Sequence, residues 1–245
     1  MPTNAQRQHV LLFRKELQRK RMLRWALPGP IYVPFIGDGD LAVKLYTDRQ
    51  IYGADLDPQR VATAQSRLKG DIREGDCDTW LFGDVKTKFA AADFDAYDHP
   101  YPAFEAFWEN AQKLDRLVMF FTDGHRQAIL RLGIHVWPDG HTTYPANMYE
   151  KQAPNYFYLS RYVWPWFEDY IGNRWRVLER MRYTRQTITY WACAVEKLKT
   201  PAKPRLRPDV PYRGSPKMVP KGAKRRVAVS ATERKARARR EKNEA

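Results

Sequence analysis

Cysteine is nearly absent from this chain: Cys77 and Cys193 are the only two in 245 residues. Two thiols cannot build a disulfide framework or a cysteine-ligated zinc finger. No apolar run approaches the roughly 18 residues that a membrane-spanning helix needs. The polar N-terminus also lacks the apolar stretch of a secretory signal. The expectation is a soluble, cytoplasmic protein with no membrane partner. Acid is in short supply too, with 28 Asp+Glu against 43 Lys+Arg and a net charge of +15. What the chain does have is apolar and aromatic substance. The hydrophobic fraction is 43%, with 8 Trp, 14 Tyr and 11 Phe, which excludes a wholly disordered polyelectrolyte. The length suits one α/β domain with appendages. Oligomeric state is not legible.

The shortage of acid is confined to the two ends. Residues 1–25 carry a net +6 and residues 198–245 a net +12, which leaves residues 26–197 at −3. The chain therefore divides into a basic N-terminal helix and linker (1–29), a near-neutral body (30–197) and a basic tail (198–245). Six prolines fall between Pro201 and Pro220 with few large apolar residues, so the tail is expected to be disordered. Lys224, Arg225, Arg226, Arg237, Arg239 and Arg240 are its candidate contacts to the phosphates of DNA or RNA, through counterion release. A solvated tail or a nuclear-import signal are the alternatives. At the other end, Val10, Phe13 and Leu17 recur at helical spacing among Arg14, Lys15, Arg19, Lys20 and Arg21. This pattern predicts a helix that buries its apolar stripe on the body and shows a basic outer face.

The body alternates strand-like and helix-like segments. Strands are expected at 31–36, 50–54, 71–77, 94–97 and 116–121, with helices at 41–47, 58–68, 103–114 and 126–132. A helix at 166–170 and two long strands at 174–183 and 187–196 follow, the pair reading as a hairpin. Such alternation argues a three-layer α/β fold, mostly parallel, ending in an antiparallel hairpin. Residues 137–175 hold 12 aromatics, inside an insert at about 134–173. They suit base stacking or, for most of them, packing against the sheet. Asp123, His125, His135, Asp139 and His141 match no metal-ligand spacing, so no metal is expected.

Two short motifs stand at expected strand ends: Val33-Pro34-Phe35-Ile36-Gly37-Asp38-Gly39 and Asp98-His99-Pro100-Tyr101. In this order they resemble the class I, Rossmann-like S-adenosylmethionine (SAM)-dependent methyltransferases, and within that class the enzymes that methylate base amino groups. The resemblance covers roughly residues 30–197. It implies SAM as cofactor, bound by the Phe35, Gly37, Asp38 and Gly39 loop. Asp55 would take the ribose hydroxyls, with Asp57 as second choice, and Asp76 the adenine amino group beside the Cys77 backbone. It also implies that Asp98 and an adjacent carbonyl accept the target N–H groups, while Tyr101 stacks on the base. Two departures are visible: Val33 replaces an acidic residue, and His99 replaces the first proline of the catalytic tetrad.

For Asp55 and Asp57 the alternative is simple capping of the next helix, and Asp55 would also suit a nicotinamide dinucleotide. Ala42 stands at the third glycine place of that dinucleotide loop. The functional alternatives are a non-catalytic binding or assembly protein on the same fold, and a methyltransferase for a protein or small molecule.

Overall fold

The apolar run at 117–121 lies inside a seven-stranded sheet in the computed structural model. Residues 4–76, 85–96, 99–124, 135, 136, 138, 142, 143, 158–185 and 188–202 are described. The strands are β1 (Ile31–Val33), β2 (Ile51–Asp55), β3 (Gly70–Glu74), β4 (Lys88–Phe94), β5 (Gln112–Asp123), β6 (Trp175–Arg185) and β7 (Ile188–Lys197). Their order across the sheet is β3-β2-β1-β4-β5-β7-β6. The first five run parallel, and β7 is antiparallel to both β5 and β6. All five parallel strands therefore end at one edge, and the order reverses between β1 and β4. Ligands of open α/β sheets bind at such a reversal, beyond the carboxyl ends. Residues 1–204 form the unit that holds this sheet, and 205–245 fall in a second unit outside the described residues.

Alternation along β5 feeds two cores. Leu117, Met119 and Phe121 enter one with Tyr32, Phe94 and Trp191, while Val118 and Phe120 enter the other with Ile31, Tyr46 and Val61. Helices α4 (Tyr101–Asn110) and α5 (Trp164–Ile171) supply the first core. Helices α1 (Asn4–Leu23), α2 (Asp40–Leu45) and α3 (Pro58–Arg67) supply the second. A π-helix, Tyr158–Val163, leads into α5. No helix among the described residues is long and apolar enough to cross a membrane.

Three expectations need correction. The fourth strand is Lys88–Phe94 rather than 94–97. Its three alanines have little strand propensity, but Phe89, Ala90, Ala91, Ala92 and Phe94 are all fully buried, and burial on both faces decides the matter. Next, α4 stops at Asn110, and 112–114, expected to be helical, begin β5.

The third concerns α1, which is turned the opposite way from its apolar stripe. Phe13 is 63% exposed and Leu17 46%, while Gln18, Arg19 and Met22 are buried. Arg19 donates from Nε and Nη2 to the two oxygens of Asp93, both at 2.6 Å, and the Tyr46 hydroxyl donates to Asp93 Oδ2 at 2.7 Å. The Lys15 ammonium meets Asp95, and Gln18 Nε2 donates to the carbonyl of Tyr190 at 3.2 Å. A buried carboxylate on β4 needs a counter-charge, and that demand outweighs the burial of two apolar side chains.

Candidate functional site

The loop after β1 is built from residues that leave little freedom. Ile36 N–H donates to Ala54 O and Gly39 N–H to Ile36 O, each at 3.0 Å, which folds the loop over the end of β2. Gly37 and Gly39 have φ of 54° and 76°, in the left-handed region that side chains avoid. The two glycines differ in what surrounds them. A Cβ on Gly39 would stand 2.9 Å from Leu68 Cδ1, so this glycine admits α3, whereas a Cβ on Gly37 would meet nothing within 4 Å. Open space thus lies over Gly37. Phe35 is half-buried against the first core, and Asp38 is exposed. Arg67 from α3 steadies the loop, donating to Asp38 O at 2.8 Å and Asp40 Oδ1 at 2.7 Å.

Asp55 closes β2 and holds this loop. Its Oδ2 accepts from Gly37 N–H and its Oδ1 from Asp57 N–H, both at 3.0 Å. Asp57 is differently employed. Its carboxylate caps α3, accepting from Gln59 N at 2.9 Å and Arg60 N at 3.4 Å, with Pro58 in the first turn. Asp55 is thus the one aimed at the loop, and Asp57 takes the capping role. Between them Leu56 is 71% exposed, an apolar side chain that the sequence reading passed over. Its signal was an apolar residue set between two aspartates at a strand end. Gly75 N–H donates to Asp55 O at 3.0 Å, bringing exposed Asp76 to the same edge. Cys77 lies outside the described residues.

The second motif starts in residues outside the described set, since Asp98 is among them. His99 and Pro100 lead into α4, where Pro100 stands at the cap and Tyr101 opens the helix. Tyr101 is not placed to stack on a substrate. It is fully buried, edge-on to Trp166 at 5.2 Å and to His99 at 5.2 Å, with its hydroxyl donated to Asp123 Oδ2. The reason is local: as the first residue of α4 it points into the aromatic core that Phe104 and Phe107 fill from the same helix. Burial, with the negative charge of Asp123 next, holds the Tyr101 phenol well above its ordinary pKa, and Tyr158 is raised for the same two reasons. Asp123, itself buried at the end of β5, therefore joins α4 and the π-helix, a role the sequence did not suggest.

The aromatic insert is packing material where it is described. Tyr158, Trp164 and Phe167 lie in the first core, and Tyr162, Trp166, Tyr170 and Trp175 pack against it. Trp137, Tyr144, Tyr149, Tyr156 and Phe157 lie outside the described residues, as do the six tail cations Lys224, Arg225, Arg226, Arg237, Arg239 and Arg240. Among the described residues no group of His, Cys, Asp and Glu is arranged to hold a metal. Cys193 is a free, buried thiol whose pKa burial pushes up, which suits a structural rather than reactive cysteine.

No protein-family model matches the sequence, and no curated protein matches it. Solved structures do match. Trm1 from Pyrococcus horikoshii, solved with SAM, shares 10% identity at a TM-score of 0.53, over 81% of this chain and 59% of its own. The sheet order and the hairpin end agree with that likeness. The chain has the class I methyltransferase fold. TrmK from M. capricolum, solved with S-adenosylhomocysteine, matches 76% of this chain and 68% of its own at 9% identity and a TM-score of 0.46. The N-methyltransferase NodS from Bradyrhizobium japonicum matches 79% of this chain and 96% of its own at 12% identity and a TM-score of 0.44. In a methyltransferase fold the carboxyl edge that carries Gly37, Asp55 and the approach to Tyr101 is the edge where ligands bind.

Proposed function

We propose that this chain is a SAM-dependent methyltransferase acting on an exocyclic amino group of a base in DNA or RNA. The observation that carries it is Asp55, bonded to the Gly37 N–H beneath open space at the point where strand order reverses. The residues present fit SAM. Each Asp55 oxygen takes one backbone N–H and keeps capacity for a ribose hydroxyl. Gly37 lets the backbone approach, and exposed Leu56 offers an apolar surface to a flat base. When bound, SAM supplies a methyl group on a positively charged sulfur.

The work of the chain's own residues is acceptance and positioning. An aryl amine is a poor nucleophile because its lone pair is delocalised into the ring. The Asp98 carboxylate and a neighbouring main-chain carbonyl, accepting both N–H groups, would localise that pair and take up the developing positive charge. Tyr101, held by Asp123, fixes the start of α4, three residues after Asp98 in the sequence. A base in a duplex would have to be flipped out first, whereas a single strand presents it directly. The basic ends support a polyanionic substrate.

A second reading, a non-catalytic binding protein on the same fold, is favoured by the enclosure of Tyr101 and by Val33 and His99. One experiment separates them. The protein is incubated with methyl-labelled SAM and mixed DNA and RNA, and SAM binding is titrated by calorimetry for wild type and Asp55→Ala. Transfer to base amino groups, lost in Asp98→Ala, with binding weakened in Asp55→Ala, supports the enzyme. SAM binding absent from wild type would refute it.

A further inference from the structure

Among the described residues only three large apolar side chains are exposed, Phe13, Leu17 and Leu56, and two of them stand one turn apart on α1. Lys20 and Arg21 are exposed on the same side of that helix, at helical spacings from Phe13 and Leu17, and Arg14 flanks them. Arg24, in the turn after the helix, is paired with Glu179 at 2.9 Å. Arg14 also lies over the Tyr183 ring, 4.8 Å from its centroid. The acid nearest them on α1, Glu16, is paired with Lys44 at 3.0 Å. An aromatic and an aliphatic side chain thus sit in a cationic face, on a helix whose other side is locked down by the fully buried Arg19–Asp93 pair.

We infer that the outer face of α1 is the seat for a single-stranded stretch of nucleic acid beside the target base. The inference rests on the nucleic-acid reading above and names the surface that reading lacks. Cations tracking a backbone, with an exposed ring on which a base stacks, are the two elements of single-strand binding. Position agrees with this. Lys15 meets Asp95 just past the end of β4, so the Lys15 end of the helix, with Phe13 one turn or less away, lies at the carboxyl edge, and Lys20 and Arg21 continue from it along the helix.

A second copy of the chain suits the face poorly. A stable protein interface buries about 800 Å² per partner, and burying one aromatic side chain contributes only about 150–250 Å². A lipid surface suits it no better, since an interfacial helix presents a broad apolar face and this one has two apolar residues among its cations.

The test is fluorescence anisotropy on the full chain with labelled single-stranded DNA and RNA oligonucleotides, across a salt series. Phe13→Leu is expected to weaken binding about tenfold, the size of one lost stacking contact, while Phe13→Trp retains it. Lys20→Gln with Arg21→Gln should flatten the slope of log affinity against log salt by about 1.4, two single-strand phosphate contacts at ~0.7 each. All three positions are exposed, so thermal melts are expected to match wild type and exclude misfolding. Binding unchanged in all variants overturns the inference. So does Phe13→Leu behaving like Phe13→Trp while the protein binds vesicles of anionic lipid or dimerises with concentration. Oligonucleotide binding that responds as expected, in a protein that transfers no methyl group, supports this surface and refutes the enzymatic reading instead.

Discussion

Replacing Arg19 with methionine removes a guanidinium that is fully buried and keeps most of its volume. The loss is specific. Asp93 loses two charge-assisted bonds of 2.6 Å and is left in the core with the Tyr46 hydroxyl at 2.7 Å. Breaking one side of such a pair costs about 3–5 kcal/mol, because the remaining charge is neither hydrated nor matched. The Arg19 guanidinium carbon also lies over the Phe120 ring, 5.4 Å from its centroid. Methionine loses this cation–π contact too, but at about 0.5–2 kcal/mol it is smaller than the cost of the stranded charge. That cost is a large part of the 5–15 kcal/mol by which ordinary domains are stable. Urea unfolding followed by circular dichroism measures it. The expected result is a lower midpoint that, multiplied by the unfolding slope m, amounts to about 3–5 kcal/mol. Because this is a charge-burial effect, the triple variant Arg19→Met, Asp93→Leu, Tyr46→Phe should recover most of the loss, having no buried charge to strand. If Arg19→Met costs under about 1 kcal/mol, or the triple variant is no better than the single, the account of how α1 is anchored is wrong.

Two further outcomes are expected. Burial would raise the Asp95 pKa, but the charges of Lys15 and Arg19, with bonds from Lys15 and Thr122, hold it below its ordinary value. Its stabilising contribution is therefore complete above the usual carboxylate range and is lost as pH falls through the lowered value. Asp95→Asn should be less stable than wild type near neutrality, and the difference in melting temperature should shrink in acid; a constant difference would contradict the assignment. In the loop, Gly37→Ala and Gly39→Ala both meet a positive φ, which costs about 1–2 kcal/mol. Only Gly39→Ala also drives a Cβ to 2.9 Å from Leu68 Cδ1 and 3.4 Å from Ala64 Cβ. Urea titration should find Gly39→Ala the less stable by the modest cost of moving the Leu68 methyl aside. Gly39→Ala being the more stable of the two would mean that α3 does not approach as closely as described.

Much of the fold was legible because local signals and burial agree there. The glycine pair of the first loop marks a backbone that other residues cannot follow, and Pro58 with Asp57 marks a helix start that forms as expected. The run at 117–121 could only be a buried strand. Legibility failed where a long-range partner outweighs local preference. The alanines of β4 are strand only because a core encloses them on each face, and Tyr101 looks like a ligand-stacking residue until the packing of α4 encloses it. Asp123 has no neighbour in sequence that hints at Tyr101, 22 residues away, or at Tyr158.

The scarcity of acid and cysteine, the basic ends and the strand–helix alternation belong to the chain itself, since charge, thiol count and periodicity do not depend on what lies across the core. They were enough to imply a mostly parallel sheet. Which way a helix faces is another matter. Hydrophobic spacing turns Phe13 and Leu17 inward, and the structure turns them out because Asp93, 74 residues from Arg19, is buried and needs its charge balanced. Only the tertiary structure brings those two charges together, and the energy of an unmatched buried charge exceeds that of two exposed apolar side chains.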